Sequence, residues 1–300
     1  MVDTAVAGGA TAPTLTPVTT RLADLTTLRL GGPAARFVVA ADEGDVVDAV
    51  LEADGAGEPL LVLAGGSNVV VADEGFPGVV VHVATRGIDR REEEGKVVLT
   101  VQAGEPWDPF VAFCVEHDLA GVEALSGIPG SVGATPIQNV GAYGQEVAET
   151  IDSVLVLDRE RKVVQLLDVR AAEFSYRSSA FKRTPNRWVV LAVTFALDPD
   201  PLSRPIRYPE LARELGVEVG ERAPLAAVRE AVLALRRRKG MVVDDADPGG
   251  NLVLIASAAP LRLTGVDFGR GGRFTGGVPF AGDAEVLTDG HAPTDQLLSR

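Results

Sequence analysis

Residues 121–146, GVEALSGIPGSVGATPIQNVGAYGQE, form the stretch that decides how the rest of this 300-residue chain is organised. The stretch contains six glycines and almost no charge. Each glycine costs backbone entropy and offers no side chain to a core. Such a run is typical of backbone that approaches a bulky polar group, because successive N–H groups without Cβ shielding form concave nests for phosphate oxygens. The alternative is a cluster of tight structural turns.

Polar side chains within this stretch strengthen the first interpretation. Ser126 and Ser131 supply hydroxyl groups, while Gln138 and Asn139 supply amides that can hydrogen-bond the edge of a ring. The stretch therefore predicts a phosphate-binding or cofactor-binding loop.

A second glycine loop lies in residues 60–83, LLVLAGGSNVVVADEGFPGVVVHV. An apolar run, the loop Gly65-Gly66-Ser67-Asn68 and a second apolar run indicate strand, tight turn and strand. The spacing G-x-G-x-x-G and the helix that follows it in dinucleotide-binding folds are both missing, which argues against a nicotinamide Rossmann site. Two glycine loops facing one phosphate-bearing ligand fit the sequence better.

The overall charge limits the range of partners. The chain carries 28 basic and 42 acidic residues, a net charge of −14. This balance disfavours nucleic acid and anionic membranes as partners, so an anionic substrate would need a local basic pocket. No apolar run is long enough to span a membrane.

Cysteine and histidine are too scarce for a metal site or a disulfide. The single cysteine, Cys114, is consistent with a reducing cytoplasm and lies in an apolar helix pattern, which favours a buried, inert thiol. With only three histidines, no metal-ligand spacing occurs, and we expect no structural metal.

The hydrophobic pattern predicts alternating strands and helices. Gly55 and Gly57 are expected to end the first helix and Gly121 the second. Strands are expected within 35–41, 60–83, 97–103, 154–167, 171–183 and 186–200, with helices within 42–57, 107–121, 208–216 and 223–240. Beyond these, short strands at Leu252–Ala256 and Leu261–Val266 are the only elements that fit.

Three segments carry a family resemblance. They are AGGSNVVVADEGFPGVVV at 64–81, GVEALSGIPGSVGATPIQNVGAYGQEV at 121–147 and SYRSSAFK at 175–182. Together they resemble the UDP-N-acetylenolpyruvoylglucosamine reductase (MurB) family, FAD flavoproteins of peptidoglycan precursor synthesis. The resemblance runs from about Thr26 to Pro248. It implies a cytoplasmic monomer that uses FAD and NADPH and takes a UDP-sugar as substrate.

The resemblance also implies the fold. We expect an α+β protein with a two-subdomain FAD-binding fold of the PCMH/vanillyl-alcohol-oxidase type, followed by an atypical or truncated substrate domain. The expected boundaries are a disordered tail at 1–20, subdomain 1 at 21–90, subdomain 2 at 91–202 and the helical connection with the substrate domain at 203–300.

Members of this family pass hydride from NADPH through FAD to the enolpyruvyl double bond, and a side-chain acid protonates the neighbouring carbon. A cation beside the substrate carboxylate stabilises the charge that develops there. Arg177 matches the family's catalytic arginine, although a surface arginine on a strand is the plainer interpretation. Tyr176 and Lys239 are expected to bind substrate, Lys239 near its phosphates. The alternative for the basic run that ends at Lys239 is a solvated helix cap.

The resemblance places the FAD contacts in the two glycine loops and the segment after them. Tyr143 in this set could equally be a packed aromatic residue. The expected cofactor-binding residues are Gly65, Gly66, Ser67, Asn68, Ser126, Gly127, Ile128, Pro129, Gly130, Ser131, Gly133, Ala134, Gln138, Asn139, Gly141, Ala142 and Tyr143.

The last fifty or so residues depart from the family. Members place the proton-donating serine in a Gly-Ser-Phe-Phe-x-Asn-Pro segment, but this chain reads GGNLVLIASAAP after Pro248 and has no glutamate beyond Glu285. Ser257 stands in the wrong context for that role. A shifted reading frame, a divergent flavoprotein without the third domain, or a different proton donor would each explain the departure. The alternative function is an FAD-binding homologue without reductase activity. An oxidase fits less well, because no His or Cys is placed to attach flavin.

Overall fold

The structure is a computed structural model that describes residues 20–242 together with two short backbone strands at 262–264 and 285–287. The first of these strands lies within the expected strand Leu261–Val266. The expected tail, apart from Thr20, and the expected strand Leu252–Ala256 lie outside the described residues.

The chain contains both strands and helices, as the pattern predicts. The strands are β1 (Ala34–Ala40), β2 (Leu60–Leu63), β3 (Val69–Val71), β4 (Phe76–Val83), β5 (Ile88–Glu93), β6 (Lys96–Gln102), β7 (Leu119–Ala120), β8 (Gly141–Ala142), β9 (Gln145–Glu146), β10 (Ile151–Asp158), β11 (Val163–Asp168), β12 (Trp188–Pro199), β13 (Arg262–Thr264) and β14 (Glu285–Leu287). The helices are α1 (Glu43–Ala56), α2 (Trp107–Glu116), α3 (Val169–Ala172), α4 (Ala180–Arg183), α5 (Pro209–Leu215) and α6 (Leu225–Arg238).

The first sheet is parallel, in the order β1-β4-β2, and α1 packs on it. The side chain of Asp42 accepts the N–H of Asp45 at 2.8 Å and caps α1. Gly57, in the left-handed conformation, ends the helix. The expectation that Gly55 also ends it was wrong, because Gly55 lies inside the helix.

The second sheet is antiparallel, in the order β11-β10-β12-β6-β5, with β7 added beside β12. Trp107 and Phe110 of α2 pack against Phe195 of β12 and fix the helix to this sheet. Because β5 pairs with β6, we propose that the boundary between the two subdomains lies between Val83 and Ile88. The sequence missed β5, which is mostly charged and shows no apolar alternation.

The segment at 171–183 is not the expected strand. Asp168 and Ser179 accept the N–H groups of Ala171 and Lys182 and cap the short helices α3 and α4. Such local hydrogen bonds offer backbone an alternative to a sheet. The second helix also ends earlier than expected, since Asp118 turns left-handed with φ 54° well before Gly121.

The helices α5 and α6 form a separate small core that packs against the glycine stretch at 121–146. Leu211, Val228, Val232 and Leu235 are buried there against Ala124. This packing brings the C-terminal end of α6 close to the glycine loops. No helix in the described ranges is both long and apolar enough to cross a lipid bilayer.

The third sheet joins distant parts of the chain. Strand β3, which follows the Gly65–Asn68 loop directly, pairs in parallel with β13, and β13 pairs with β14. The backbone after the first glycine loop is therefore part of a sheet.

A substitution at Gly133 tests how tightly the glycine stretch packs on the second sheet. A Cβ at this position would lie 2.5 Å from the Cβ of Ala103, so we expect Gly133→Ala to lower the free energy of unfolding by about 1–3 kcal/mol. Gly55→Ala is the control: it faces open space inside α1 and should raise stability by about 0.5–1 kcal/mol. Chemical denaturation measures both. Unchanged stability of the Gly133 variant would contradict the close contact.

Candidate functional site

A cavity of about 770 Å³ lies where the glycine loops meet the end of α6, and its volume is typical of small-molecule sites. Eleven of the expected residues line it: Ser67, Asn68, Ile128, Pro129, Gln138, Gly141, Ala142, Tyr143, Tyr176, Arg177 and Lys239. The other expected residues are not among those that line it: Gly65, Gly66, Ser126, Gly127, Gly130, Ser131, Gly133, Ala134 and Asn139.

The two glycine loops contact each other directly. The N–H of Gly65 donates to Ser131 Oγ at 2.9 Å. A Cβ on Gly65 would lie 2.7 Å from the Cα of Gly130, and a Cβ on Gly66 would lie 2.0 Å from the carbonyl oxygen of Leu25. These glycines are therefore required for close approach of backbone to backbone, and the loops present Ser67 and the residues after Gly127 to the cavity.

Asp108 ties the glycine stretch to two helices. Its carboxylate accepts the N–H of Gly127 at 2.6 Å and two N–H groups of Arg229, at 2.6 and 2.9 Å. Burial alone would raise the pKa of Asp108, but these hydrogen bonds and the Arg229 charge outweigh it and lower the pKa. One carboxylate thus holds α2, α6 and the loop at Gly127 together.

Glu123 supports the wall of the cavity through buried hydrogen bonds. Its carboxylate is fully buried and accepts the N–H groups of Gly121 at 2.6 Å and Arg204 at 3.2 Å, and the side-chain amide of Gln145 at 2.8 Å. Gln145 in turn accepts the N–H of Ala124. These bonds hold the hairpin of β8 and β9 against the start of the glycine stretch.

Three non-glycine residues around the cavity have left-handed backbone. Asn139, Tyr143 and Arg177 have φ values of 47°, 48° and 54°. This conformation costs free energy for residues with a Cβ, and it persists only where the surroundings enforce it. Six other non-glycine residues of the described chain share this conformation, so it marks tight turns in general, three of which lie at this cavity.

Asn139 uses both ends of its side chain within the protein. The amide nitrogen donates to Glu146 Oε2 at 2.6 Å and to the carbonyl of Ser175 at 3.0 Å, while the amide oxygen accepts the N–H of Ala148 at 3.1 Å. The residue is 1% exposed. Its side chain therefore joins three segments of the wall, a role that the sequence did not suggest.

Arg177 lies on a tight turn, not on a strand as expected. Ser175 and Ser178 exchange backbone hydrogen bonds at 3.0 Å, and Tyr176 and Arg177 form the tip. Tyr176 is 80% exposed. Within the described part of the chain, no carboxylate comes within ion-pair distance of Arg177, which leaves its guanidinium available to a ligand in the cavity.

The end of α6 differs from the solvated cap that was the plain alternative. Arg236 is buried and lines the cavity; its Nη2 donates to the carbonyl of Met241 at 2.9 Å, and its Nε has no hydrogen-bond partner among the described residues. Burial lowers its pKa. The sequence held the signal: Val228, Val232 and Arg236 are spaced four apart and share the buried face.

Lys239 lines the same cavity but is already partnered. Its Nζ donates to Glu210 at 2.6 Å, and this hydrogen bond raises its pKa. The ammonium also lies 5.8 Å from the centroid of the Tyr143 ring. The Tyr143 hydroxyl has a raised pKa, mainly through burial.

Nine of the residues that line the cavity were not among the expected ones; besides Arg236 they include Glu149, Arg207 and Tyr208. Tyr208 meets the edge of Tyr143 at 90°, with ring centroids 5.5 Å apart, and Arg207 pairs with Glu149 at 2.9 Å. Arg207 and Tyr208 come from the helical connection, which only the tertiary fold brings to the glycine stretch.

The donor chemistry of this cavity fits an anionic ligand that carries phosphate groups, as FAD does. The buried Arg236 has no ion-pair partner among the described residues, and its Nε lacks an acceptor. A buried unpaired cation is costly in a folded protein, so a ligand anion would relieve it. No group of three metal-ligating side chains is found in the residues described.

Comparison with known proteins agrees with this chemistry. Residues 34–166 match the family described as FAD binding domain. The UDP-N-acetylenolpyruvoylglucosamine reductase of Salinispora arenicola is 58% identical over 228 residues, which cover 76% of this chain and 62% of that protein. The enzyme of the same name from Thermobifida fusca is 56% identical over 228 residues, covering 76% of this chain and 64% of that protein. The chain thus spans less than two thirds of their length.

A solved structure shares the fold. The crystal structure of UDP-N-acetylenolpyruvylglucosamine reductase (MurB) from Thermus caldophilus matches with a TM-score of 0.53 and 25% identity, covering 73% of this chain and 68% of that one. Together with the two sheets, these similarities confirm the expected α+β class and an FAD-binding fold.

Removing the charge of Asp108 should weaken the attachment of α6 to α2 and to the loop at Gly127. We expect Asp108→Asn to lower the free energy of unfolding by about 1.5–3 kcal/mol at neutral pH, because hydrogen bonds to charged groups are lost. The folded-state pKa is depressed, so this contribution is present above the unfolded pKa and disappears as the pH falls below about 4. Denaturation at a series of pH values measures it. A difference that persists at low pH would contradict the assignment.

Arg236→Met tests whether the buried cation serves a ligand. Because methionine removes an unpaired buried charge, we expect the ligand-free protein to be as stable as the wild type or more so. Thermal stabilisation by added FAD or UDP should fall strongly. Arg238→Met is the control, since Arg238 lies outside the cavity wall and pairs with Glu214. A stable variant with unchanged response to both ligands would exclude this role.

Proposed function

Since the matched three quarters of this chain belong to the UDP-N-acetylenolpyruvoylglucosamine reductase family, we propose that the protein uses FAD and NADPH to reduce UDP-N-acetylenolpyruvoylglucosamine to UDP-N-acetylmuramate. This reaction would serve peptidoglycan precursor synthesis, and with it cell-wall formation and division. The observation that carries the proposal is a single cavity whose wall holds two cations without carboxylate partners among the described residues, Arg177 and Arg236.

The substrate would present two kinds of anion to these cations, a carboxylate on the enolpyruvyl group and a diphosphate. The guanidinium of Arg177 can bind a carboxylate through two parallel hydrogen bonds and hold the negative charge that develops there. The rigid turn beneath it keeps this geometry before the ligand arrives, which lowers the cost of orientation. Tyr176, beside it on the tip, would contact the same substrate.

The phosphate-binding part of the proposal rests on the end of α6. Arg236 contributes a buried charge, and Lys239 contributes an ammonium that can exchange its contact with Glu210 for a phosphate oxygen. The exposed edge of Tyr208 and the ring of Tyr143 lie beside them. Such a cationic patch would attract a UDP-sugar despite the net charge of −14.

The glycine loops and the following segment would hold the flavin cofactor. Ser67 and Asn68, together with Ile128, Pro129 and Gln138, line the cavity on this side. When bound, FAD supplies the hydride-transfer chemistry that side chains lack. The residues around it would orient it and exclude water, while Gly65 and Gly130 behind them keep the loops close.

The remaining parts of the proposal concern the whole protein. We propose a cytoplasmic monomer without nucleic-acid partners, with two subdomains that divide between Val83 and Ile88, slightly before the expected boundary of 21–90 and 91–202. The strong negative charge supports the exclusion of nucleic acid. The helical connection at 203–242 supplies part of the site.

A second candidate is an FAD-binding homologue without reductase activity. It is favoured by one observation, the absence of the Gly-Ser-Phe-Phe-x-Asn-Pro segment from residues 249–300. The two candidates share the cofactor and differ in whether the bound flavin can be reoxidised by the enolpyruvyl UDP-sugar.

Anaerobic flavin absorbance separates the candidates. In protein reconstituted with FAD, added NADPH should bleach the flavin, and the enolpyruvyl UDP-sugar should then restore its colour. Bleaching without reoxidation would select the second candidate. Protein that retains no FAD after reconstitution would exclude both.

Arg177→Lys tests the role of the arginine within this assay. We expect bleaching by NADPH to be unchanged and reoxidation by the substrate to slow by about 10²–10³-fold, because a lysine cannot hold the carboxylate in bidentate fashion. Arg183→Lys is the control, since Arg183 lies nearby, outside the cavity wall. Equal reoxidation rates for both variants would remove Arg177 from the proposed mechanism.

A further inference from the structure

We propose that Asn139 is a positioning residue that holds the Arg177 turn in its reactive place, and that it does not act as a cofactor contact. The inference deepens the proposed function and rests on it for the role of Arg177. The contacts themselves do not depend on that function.

The side-chain amide of Asn139 makes its hydrogen bonds within the described part of the protein. Its nitrogen donates to the carbonyl of Ser175, the residue that opens the turn, at 3.0 Å, and to Glu146 at 2.6 Å. Its oxygen accepts the N–H of Ala148. With both the donor and the acceptor engaged and 1% of the residue exposed, the side chain is directed into the protein and not into the cavity.

A second hydrogen bond connects the Arg177 turn to the segment that contains Asn139. The hydroxyl of Ser179, just after the turn, donates to the carbonyl of Ile137, two residues before Asn139. The Arg177 turn is therefore tied on both sides to the segment at 137–139, by the Asn139 side chain and by the Ile137 carbonyl. From the third side, Lys182 Nζ donates to the carbonyl of Arg177 itself at 3.2 Å.

These links hold Arg177 in a strained backbone conformation. Arg177 has φ 54°, and left-handed backbone is unfavourable for a residue with a Cβ. Without the bond to Ser175, the turn would relax toward ordinary backbone and carry the guanidinium away from its place. Asparagine is required because an aspartate at 139 would present a carboxylate to Glu146 and could donate to neither acceptor.

Limited proteolysis tests the positioning without any activity. Trypsin cleaves after arginine, and cleavage at Arg177 requires local opening of the turn. We expect Asn139→Ala and Asn139→Asp to increase the cleavage rate at Arg177 by about tenfold, since each variant removes one of the hydrogen bonds that hold the turn. Mass spectrometry identifies the site of cleavage. Thr135→Ala is the matched control, a buried residue of the same stretch whose hydroxyl bonds only to Val132.

A paired exchange separates the two bonds of the amide nitrogen. In Asn139→Asp combined with Glu146→Gln, the amide at 146 can donate to the carboxylate at 139, which restores the hairpin contact only. We expect cleavage at Arg177 to remain fast in this double variant. Restored protection would show that the hairpin, and not the Ser175 bond, holds the turn, which would overturn the proposal.

A double-mutant cycle connects the positioning to function. The affinity of FAD-loaded protein for the enolpyruvyl UDP-sugar, followed through the flavin spectrum, should fall about tenfold in Asn139→Ala but not further when Asn139→Ala is added to Arg177→Ala. FAD retention should be unchanged in both. Equal losses in the two backgrounds, or loss of FAD from the Asn139 variant, would overturn the inference. A wild type that binds no substrate would instead refute the proposed function, and the cleavage rates would still decide the role of Asn139.

Discussion

Irregular backbone forms the cavity, and a few buried polar side chains make that possible. Buried N–H and carbonyl groups outside helices and strands must find partners, or the fold loses stability. Glu123, Asp108, Asn139 and Ser131 supply these partners to the glycine stretch and its neighbours. The second sheet and the helices α2 and α6 contact this stretch, so the site and the fold depend on the same small set of hydrogen bonds.

Much of the fold could be predicted from the sequence, because long apolar runs and turn residues report local structure directly. The parallel and antiparallel strands with valine-rich cores, α1, α5 and α6 all follow from periodicity. Strand β5 and the helices around the Arg177 turn could not be predicted in this way. The charged β5 is determined by its pairing with β6, and the short helices by single capping side chains.

The site shows the same division. The glycine loops stand out in the sequence, because runs of glycine are unusual in a folded core, whereas Arg177 was identified only through the resemblance of residues 175–182 to the family. Arg236 was visible only if helical spacing was applied to a charged residue. Nothing in the local sequence predicts a site role for Tyr208 and Arg207, since they reach the cavity only because α5 and α6 pack against the glycine stretch. Tertiary contacts, and not composition, place them there.

The contact between the glycine loops constrains how this protein can change over evolutionary time. A side chain at Gly130 would meet the Ser67 hydroxyl, and a smaller residue at 67 would relieve that contact but not the strain of a side chain at φ 113°. A side chain at Gly65 would instead meet the backbone of Gly130, which no substitution elsewhere can remove. Gly130 is therefore constrained by its own backbone conformation and Gly65 by the backbone opposite it, and both should remain glycine wherever the two loops keep this distance.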